Sequence, residues 1–134
     1  MSKQFQQFNL KEIAAPNFKM HPVELKDYFD FEVKRIYYIT EPTSKTGAHC
    51  HKVEEEFFVL LQGSATAVID QGQGLEEIKM VGPLSAIYVP ALVWHHFKDF
   101  SVGAILLALS STNYNPTRED YVEDYEDFKK IVAV

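Results

Sequence analysis

Short apolar runs broken by turn residues limit how this chain can fold. Phe31 to Thr40, Phe57 to Leu61, Ser64 to Asp70, Ser85 to Val89 and Val102 to Leu109 are rich in Val, Ile, Phe and Tyr. Such residues suit a pleated, half-buried strand. Gly63, the run Asp70-Gln71-Gly72-Gln73-Gly74, Gly82-Pro83 and Pro90 punctuate the runs and supply their turns. No helical spacing lies between them, so a parallel sheet with crossover helices is disfavoured. An all-β antiparallel sandwich or barrel is expected. One helix is expected at the end, because Tyr121, Tyr125, Phe128 and Val132 recur at spacings of four, three and four. Thr117 is placed to cap its start, with Asp120 three positions on and Lys129-Lys130 near its end. Its pattern assigns it to packing over the barrel.

The 134 residues, 46% hydrophobic and 24% charged, suit one globular domain read as 1–134. The longest apolar stretch, Val102 to Leu109, is too short to cross a bilayer. The opening Met1-Ser2-Lys3-Gln4-Phe5 lacks the apolar core of a secretory signal, and Cys50 is the only cysteine. A reducing, cytoplasmic location is therefore expected. A formal net charge of −6 and the lack of any Lys/Arg cluster speak against a nucleic-acid partner. An anionic small molecule held by a few local cations remains compatible.

Four of the five histidines fall in two doublets, His49/His51 and His95/His96. In a strand His49 and His51 point to one face, with Ala48, Cys50 and Lys52 on the other. His95 and His96 are adjacent, so only one of them can share a cavity with the first pair. Three readings compete. With Glu56, the residues His49, His51 and His95 could hold a divalent metal such as Fe, Mn, Zn or Ni. Alternatively the imidazoles move protons near neutral pH, or they only fill space.

The spacing resembles the cupin superfamily. After His49-Cys50-His51, Glu56 follows four intervening residues later and Gly63 six further intervening residues on. Pro90 leading to His95 resembles the second cupin signature, with Leu92 where a glycine is usual. This likeness implies a small single-domain jelly-roll barrel with its site inside the mouth. A closer resemblance is to the sugar 3,4-ketoisomerase (WxcM-like) family, carried by Arg35-Ile36-Tyr37-Tyr38-Ile39, Gly47-Ala48-His49-Cys50-His51-Lys52 and Leu61-Gln62-Gly63-Ser64. It continues through Ile87 to His95, Asp99-Phe100-Ser101, Leu107 to Ser110 and Tyr121 to Phe128, and covers most of the chain. The resemblance implies an enzyme that moves the carbonyl of dTDP-linked 4-keto-6-deoxy-D-glucose from C4 to C3. Its product would supply 3-amino-3,6-dideoxyhexoses for surface glycans. It also implies no metal or other cofactor, and a homodimer in which an N-terminal strand crosses to the partner.

That reaction removes the C3 proton, passes through an enediolate and returns a proton at C4. It needs a group of near-neutral pKa and a donor for the oxyanion. The motif carries the base to His51 and its companion role to His49. Tyr37, on one strand face with Arg35, is assigned as proton relay or oxyanion donor. His95 is assigned to the sugar hydroxyls or the enediolate, with His96 at the rim and Trp94 packed beneath the sheet. Arg35 suits the diphosphate, or else a salt bridge within the barrel; Lys52 is a second cation, of the wrong parity to share a face with His51. Thr46 and Asn17 stand where the family usually has arginine, and Glu56 where it usually has glutamine. The last departure keeps the metal reading open. A non-catalytic sugar-nucleotide binding module is the remaining alternative.

Overall fold

The computed structural model describes residues 3–133; Met1, Ser2 and Val134, at the ends of the expected domain, lie outside the described residues. In chain order the strands are β1 (Gln6–Asn9), β2 (Ile13–Ala14), β3 (Lys19–Met20), β4 (Arg35–Ile39), β5 (Cys50–His51), β6 (Glu56–Gln62), β7 (Ser64–Asp70), β8 (Leu75–Val81), β9 (Ser85–Val89), β10 (Trp94–Lys98), β11 (Ile105–Ser110) and β12 (Tyr121–Val122). Helix α1 (Tyr125–Val132) follows them. One antiparallel sheet has the order β1-β9-β6-β11-β4 and faces a second, β10-β7-β8. The second sheet is extended by a bridge between His49 and His95, and β5 in turn pairs with β12. This is the all-β barrel with a short C-terminal helix that the sequence leads one to expect. No helix among the described residues is long and apolar enough to cross a membrane.

Alternation along β6 explains both the core and the site. Phe58 and Leu60 point between the sheets, where they meet Ala67, Ile69, Ile87, Phe97 and Leu106. Phe57 and Val59 point outward under a second apolar layer built from Leu10, Tyr28, Phe29 and Tyr88. Burial on both faces is why this strand reads as a continuous apolar run. The same outer layer corrects the run Phe31 to Thr40: only Arg35–Ile39 is strand, while Phe31 stacks on Phe29 with ring centroids 4.0 Å apart. The run from Val102 likewise begins its strand only at Ile105, after a turn in which Gly103 takes φ +78°. β8 has no apolar run to announce it, since only Ile78 and Met80 of its seven residues are buried.

The helix is shorter than its spacing suggests. Asp124, not Thr117, caps it, accepting from the Asp127 N–H at 3.0 Å. Thr117 instead bonds Asn115, and Tyr121 pairs with His51 as a strand residue. Backbone pairing with β5 outcompetes a first helical turn there. Phe128 is fully buried with Trp94, Cys50 and Val122 beneath the helix, a burial contributing about 1.5–3 kcal/mol. At the other end, β2 and β3 form a hairpin whose Ile13, Met20 and nearby Phe18 are all exposed.

Candidate active site

The two sheets bring their inward-facing polar residues to one end of the barrel. From the five-stranded sheet, Arg35 and Tyr37 on β4 and Glu56 on β6 point inward. From the other, the backbone exchange between His49 and His95 (N to O 3.2 and 2.9 Å) sets these two side chains next to each other. His51 follows two positions on, on the same face. The resulting cavity, about 380 Å³, is lined by all six residues together with Thr46, Phe58, Tyr114, Arg118 and Tyr121. His96 alternates away and does not line it. Trp94 lies beneath the sheet, its ring 5.3 Å from Tyr125.

Each cavity histidine is anchored through Nδ1. His49 Nδ1 lies 3.2 Å from the Gly47 carbonyl, His95 Nδ1 3.0 Å from that of Val93, and His51 Nδ1 3.1 Å from Asp120 Oδ2. Asp120 also accepts the Val53 and Glu54 N–H groups at 2.7 and 3.1 Å, so both its oxygens serve as acceptors. Because these oxygens only accept, Nδ1 carries the proton in all three rings and Nε2 faces the cavity. The Nε2 atoms of His49 and His51 are 3.1 Å apart. At that distance a proton can pass directly from one ring to the other.

Glu56 is the hub opposite them. Its carboxylate is 1% exposed. Oε2 accepts the Tyr37 hydroxyl at 2.6 Å, and Oε1 lies 3.3 Å from His51 Nε2 and 3.4 Å from His95 Nε2. Burial would raise its pKa, but the hydrogen bonds and charges of His51 and His95 outweigh burial and hold it below the ordinary carboxylate range. Burial, with the neighbouring charges of His95 and His51, drives His49 down to about 3, so its ring is neutral. His51 moves the other way. Burial alone would lower it, yet the hydrogen bond and charge of Glu56, with the charges of Glu54 and Asp120, leave it raised. Of the two facing rings, His51 is the more basic. Tyr37 is raised by burial and by Glu56, and stays protonated.

The two expected cations fare differently. Arg35 lines the cavity, and its Nη2 pairs with the Glu54 carboxylate at 3.2 and 3.3 Å. The salt-bridge reading is thus realised alongside the cavity position. Lys52 is exposed and does not enter the cavity with the histidines. It lines a neighbouring one of about 400 Å³ with Tyr114, Arg118 and Asp120. Sequence reasoning missed Asp120, Tyr121 and Arg118. The Tyr121 ring stands 4.5 Å from that of His51, with the Arg118 guanidinium 3.8 Å from its centroid. Only the pairing of β12 with β5 reveals them.

A jelly-roll barrel with imidazoles, a buried carboxylate and a tyrosine inside one end is a cupin-type small-molecule site. The family model for FdtA, described as WxcM-like, C-terminal, matches residues 3–133. The chain is 35% identical over 127 residues to the TDP-4-oxo-6-deoxy-alpha-D-glucose-3,4-oxoisomerase of Aneurinibacillus thermoaerophilus, covering 93% of this chain and 90% of that one. It superposes on a 3,4-ketoisomerase from Helicobacter canadensis with a TM-score of 0.86 and 28% identity over 98% of each chain. A mutant of a 3,4-ketoisomerase from Thermoanaerobacterium thermosaccharolyticum, in complex with TDP-4-keto-6-deoxyglucose, gives a TM-score of 0.85 at 28% identity, over 98% of this chain and 96% of that one. The chain belongs to the WxcM-like family of sugar 3,4-ketoisomerases, and its class of activity is isomerisation.

Proposed function

We propose that this chain converts dTDP-4-keto-6-deoxy-D-glucose to the 3-keto isomer, with His51 as base, His49 as its proton partner and Tyr37 as relay. The observation that carries this reading is the pair of Nε2 atoms 3.1 Å apart inside the cavity, one ring held neutral and the other basic. The names of the relatives at 35% and 28% identity support the substrate class.

The chemistry follows from these positions. The C4 ketone acidifies the C3 hydrogen, and neutral His51 takes that proton through Nε2. The electron pair becomes the C3–C4 double bond of an enediolate, with its charge on the C4 oxygen. The C3 hydroxyl then gives up its proton as the C3 carbonyl forms, while C4 gains a proton on carbon and its oxygen is protonated. Substrate and product are isomers and no external oxidant is consumed. His49, neutral and 3.1 Å away, can accept the proton from His51 and return it. Tyr37 reaches the same network through Glu56, and His95 Nε2 faces the sugar side. Arg35 and Arg118 are the cations lining the cavity available to a diphosphate.

Incubation with dTDP-4-keto-6-deoxyglucose, followed by proton NMR, should show loss of the 4-keto sugar and growth of a 3-keto isomer. Binding of the nucleotide without any new species would support the binding-module alternative instead. The aminated products of such a sugar serve surface glycans, and a cytoplasmic location suits the lone buried Cys50. A homodimer belongs to the same reading: the β2–β3 arm exposes Ile13, Phe18 and Met20, while β1 is already paired with β9 of its own chain. Covering the arm with a second copy removes that apolar surface from water. Light scattering should give twice the chain mass; a monomer at micromolar concentration would contradict the dimer.

A further inference from the structure

We infer that the Tyr121 hydroxyl donates the hydrogen bond that holds the charge developing on the C4 oxygen, which makes Tyr121 a catalytic residue in addition to His51 and His49. The inference rests on the proposed isomerisation, whose enediolate needs such a donor.

The commitments of the other polar groups in the cavity decide which donor is left. The three imidazoles turn their Nε2 lone pairs inward, because their Nδ1 protons are bound to Gly47, Val93 and Asp120. An oxyanion meets no proton there until His51 has taken one from carbon. The Tyr37 hydroxyl has one proton, and it is directed at Glu56 Oε2 at 2.6 Å. Thr46 is tied to the backbone of Phe97 by two bonds of 2.9 Å. The antiparallel bridge between His49 and His95 puts Phe97 on the side away from His51. The Tyr121 hydroxyl has no partner among the described residues, and it is not sealed in the interior.

Its position follows from the strand pairing. Tyr121 lies opposite His51 between β12 and β5, and opposite residues of antiparallel strands carry their side chains to one face. His51 enters the cavity, so Tyr121 does too and forms part of its wall. Its ring stands 4.5 Å from that of His51 and 5.0 Å from that of His49. The C4 oxygen sits on the carbon next to the one that loses its proton, so base and donor have to be neighbours in this way.

The Arg118 guanidinium lies 3.8 Å from the centroid of the Tyr121 ring. A cation there favours the phenolate and so makes the hydroxyl a stronger donor. Arg118 takes up this place at φ +57°, an uncommon conformation for a residue with a side chain, and bonds Glu123 at 3.0 and 3.1 Å. Burial nevertheless keeps the Tyr121 pKa raised, so the hydroxyl holds its proton at neutral pH. It donates a hydrogen bond without giving the proton away, and the balance of the isomerisation is unchanged.

Tyr121→Phe removes the hydroxyl and leaves the ring beside His51 and Arg118; with no partner lost, the fold should survive, as circular dichroism will show. It should lower kcat by about 10²-fold, the effect of one oxyanion donor, with KM little changed. Exchange of the C3 hydrogen in deuterium oxide should slow by the same factor, since removing that proton is the step that builds the charge. The pH limb set by His51 should stay where it is in the parent. A variant as fast as the parent would overturn the role. So would a fall in kcat accompanied by a displaced limb, because Tyr121 would then act through the base. Both results leave the proposed function standing, whereas a parent protein that forms no 3-keto isomer would overturn that function and this role with it.

Discussion

His51→Asn is expected to lower kcat by about 10²- to 10⁴-fold, the range that a positioned acid–base group contributes. Asparagine nearly matches imidazole in reach but has no lone pair that titrates near neutral pH, so C3 keeps its proton. The fold should survive, because residue 51 is tied in place by backbone bonds. Its carbonyl accepts from Leu92 N at 2.7 Å, and it pairs with Tyr121 across β5 and β12. KM should change far less than kcat, since the cations available to the diphosphate are on other elements. Steady-state kinetics by NMR, with circular dichroism on the same sample, separates these effects. A variant within tenfold of the parent would displace His51 as base.

Asp120→Asn should cost about 10²-fold in kcat or more, for two reasons that a pH profile distinguishes. The carboxylate holds the His51 Nδ1 proton at 3.1 Å; an amide can present its NH₂ there and favour the wrong tautomer. Its negative charge also helps to raise His51 above the ordinary value of 6.5. A base works unprotonated, so kcat/KM of the parent should rise with pH through a limb above 6.5. Removing the charge lowers the His51 pKa, and the limb must move to lower pH. If Asp120 only braced the Val53 and Glu54 N–H groups, kcat would fall with the limb unmoved. Loss of one such bond to the carboxylate should cost about 1.5–3 kcal/mol in stability.

Much of the barrel was legible because alternation and turns are local. Ser64–Asp70 and Ser85–Val89 end where their turn residues say they should. The face shared by His49 and His51 follows from strand geometry alone, as does the outward placement of Trp94. The family pattern supplied what periodicity could not, above all the partnership of His95 with residues more than forty positions earlier. The misreadings are tertiary in origin. Phe31 looks like strand because it is apolar, yet it serves a coil segment packed over the outside of the sheet. Tyr121 looks like helix because its spacing to Tyr125 fits, yet its backbone is claimed by β5. Asp120 is one acid among nineteen in the sequence, and only the fold brings it to His51. The pairing of Arg35 with Glu54 was likewise beyond reach, since residues nineteen positions apart on different strands leave no periodic trace.

Deuterium exchange gives the most direct test of proton transfer by the imidazole pair. In deuterium oxide with dTDP-4-keto-6-deoxyglucose, the parent protein should place solvent deuterium at C4 of the new 3-keto sugar and at C3 of recovered substrate, while His51→Asn should do neither. Exchange by that variant at the parent rate, or neither a 3-keto sugar nor deuterium at either carbon with the parent, would contradict the account.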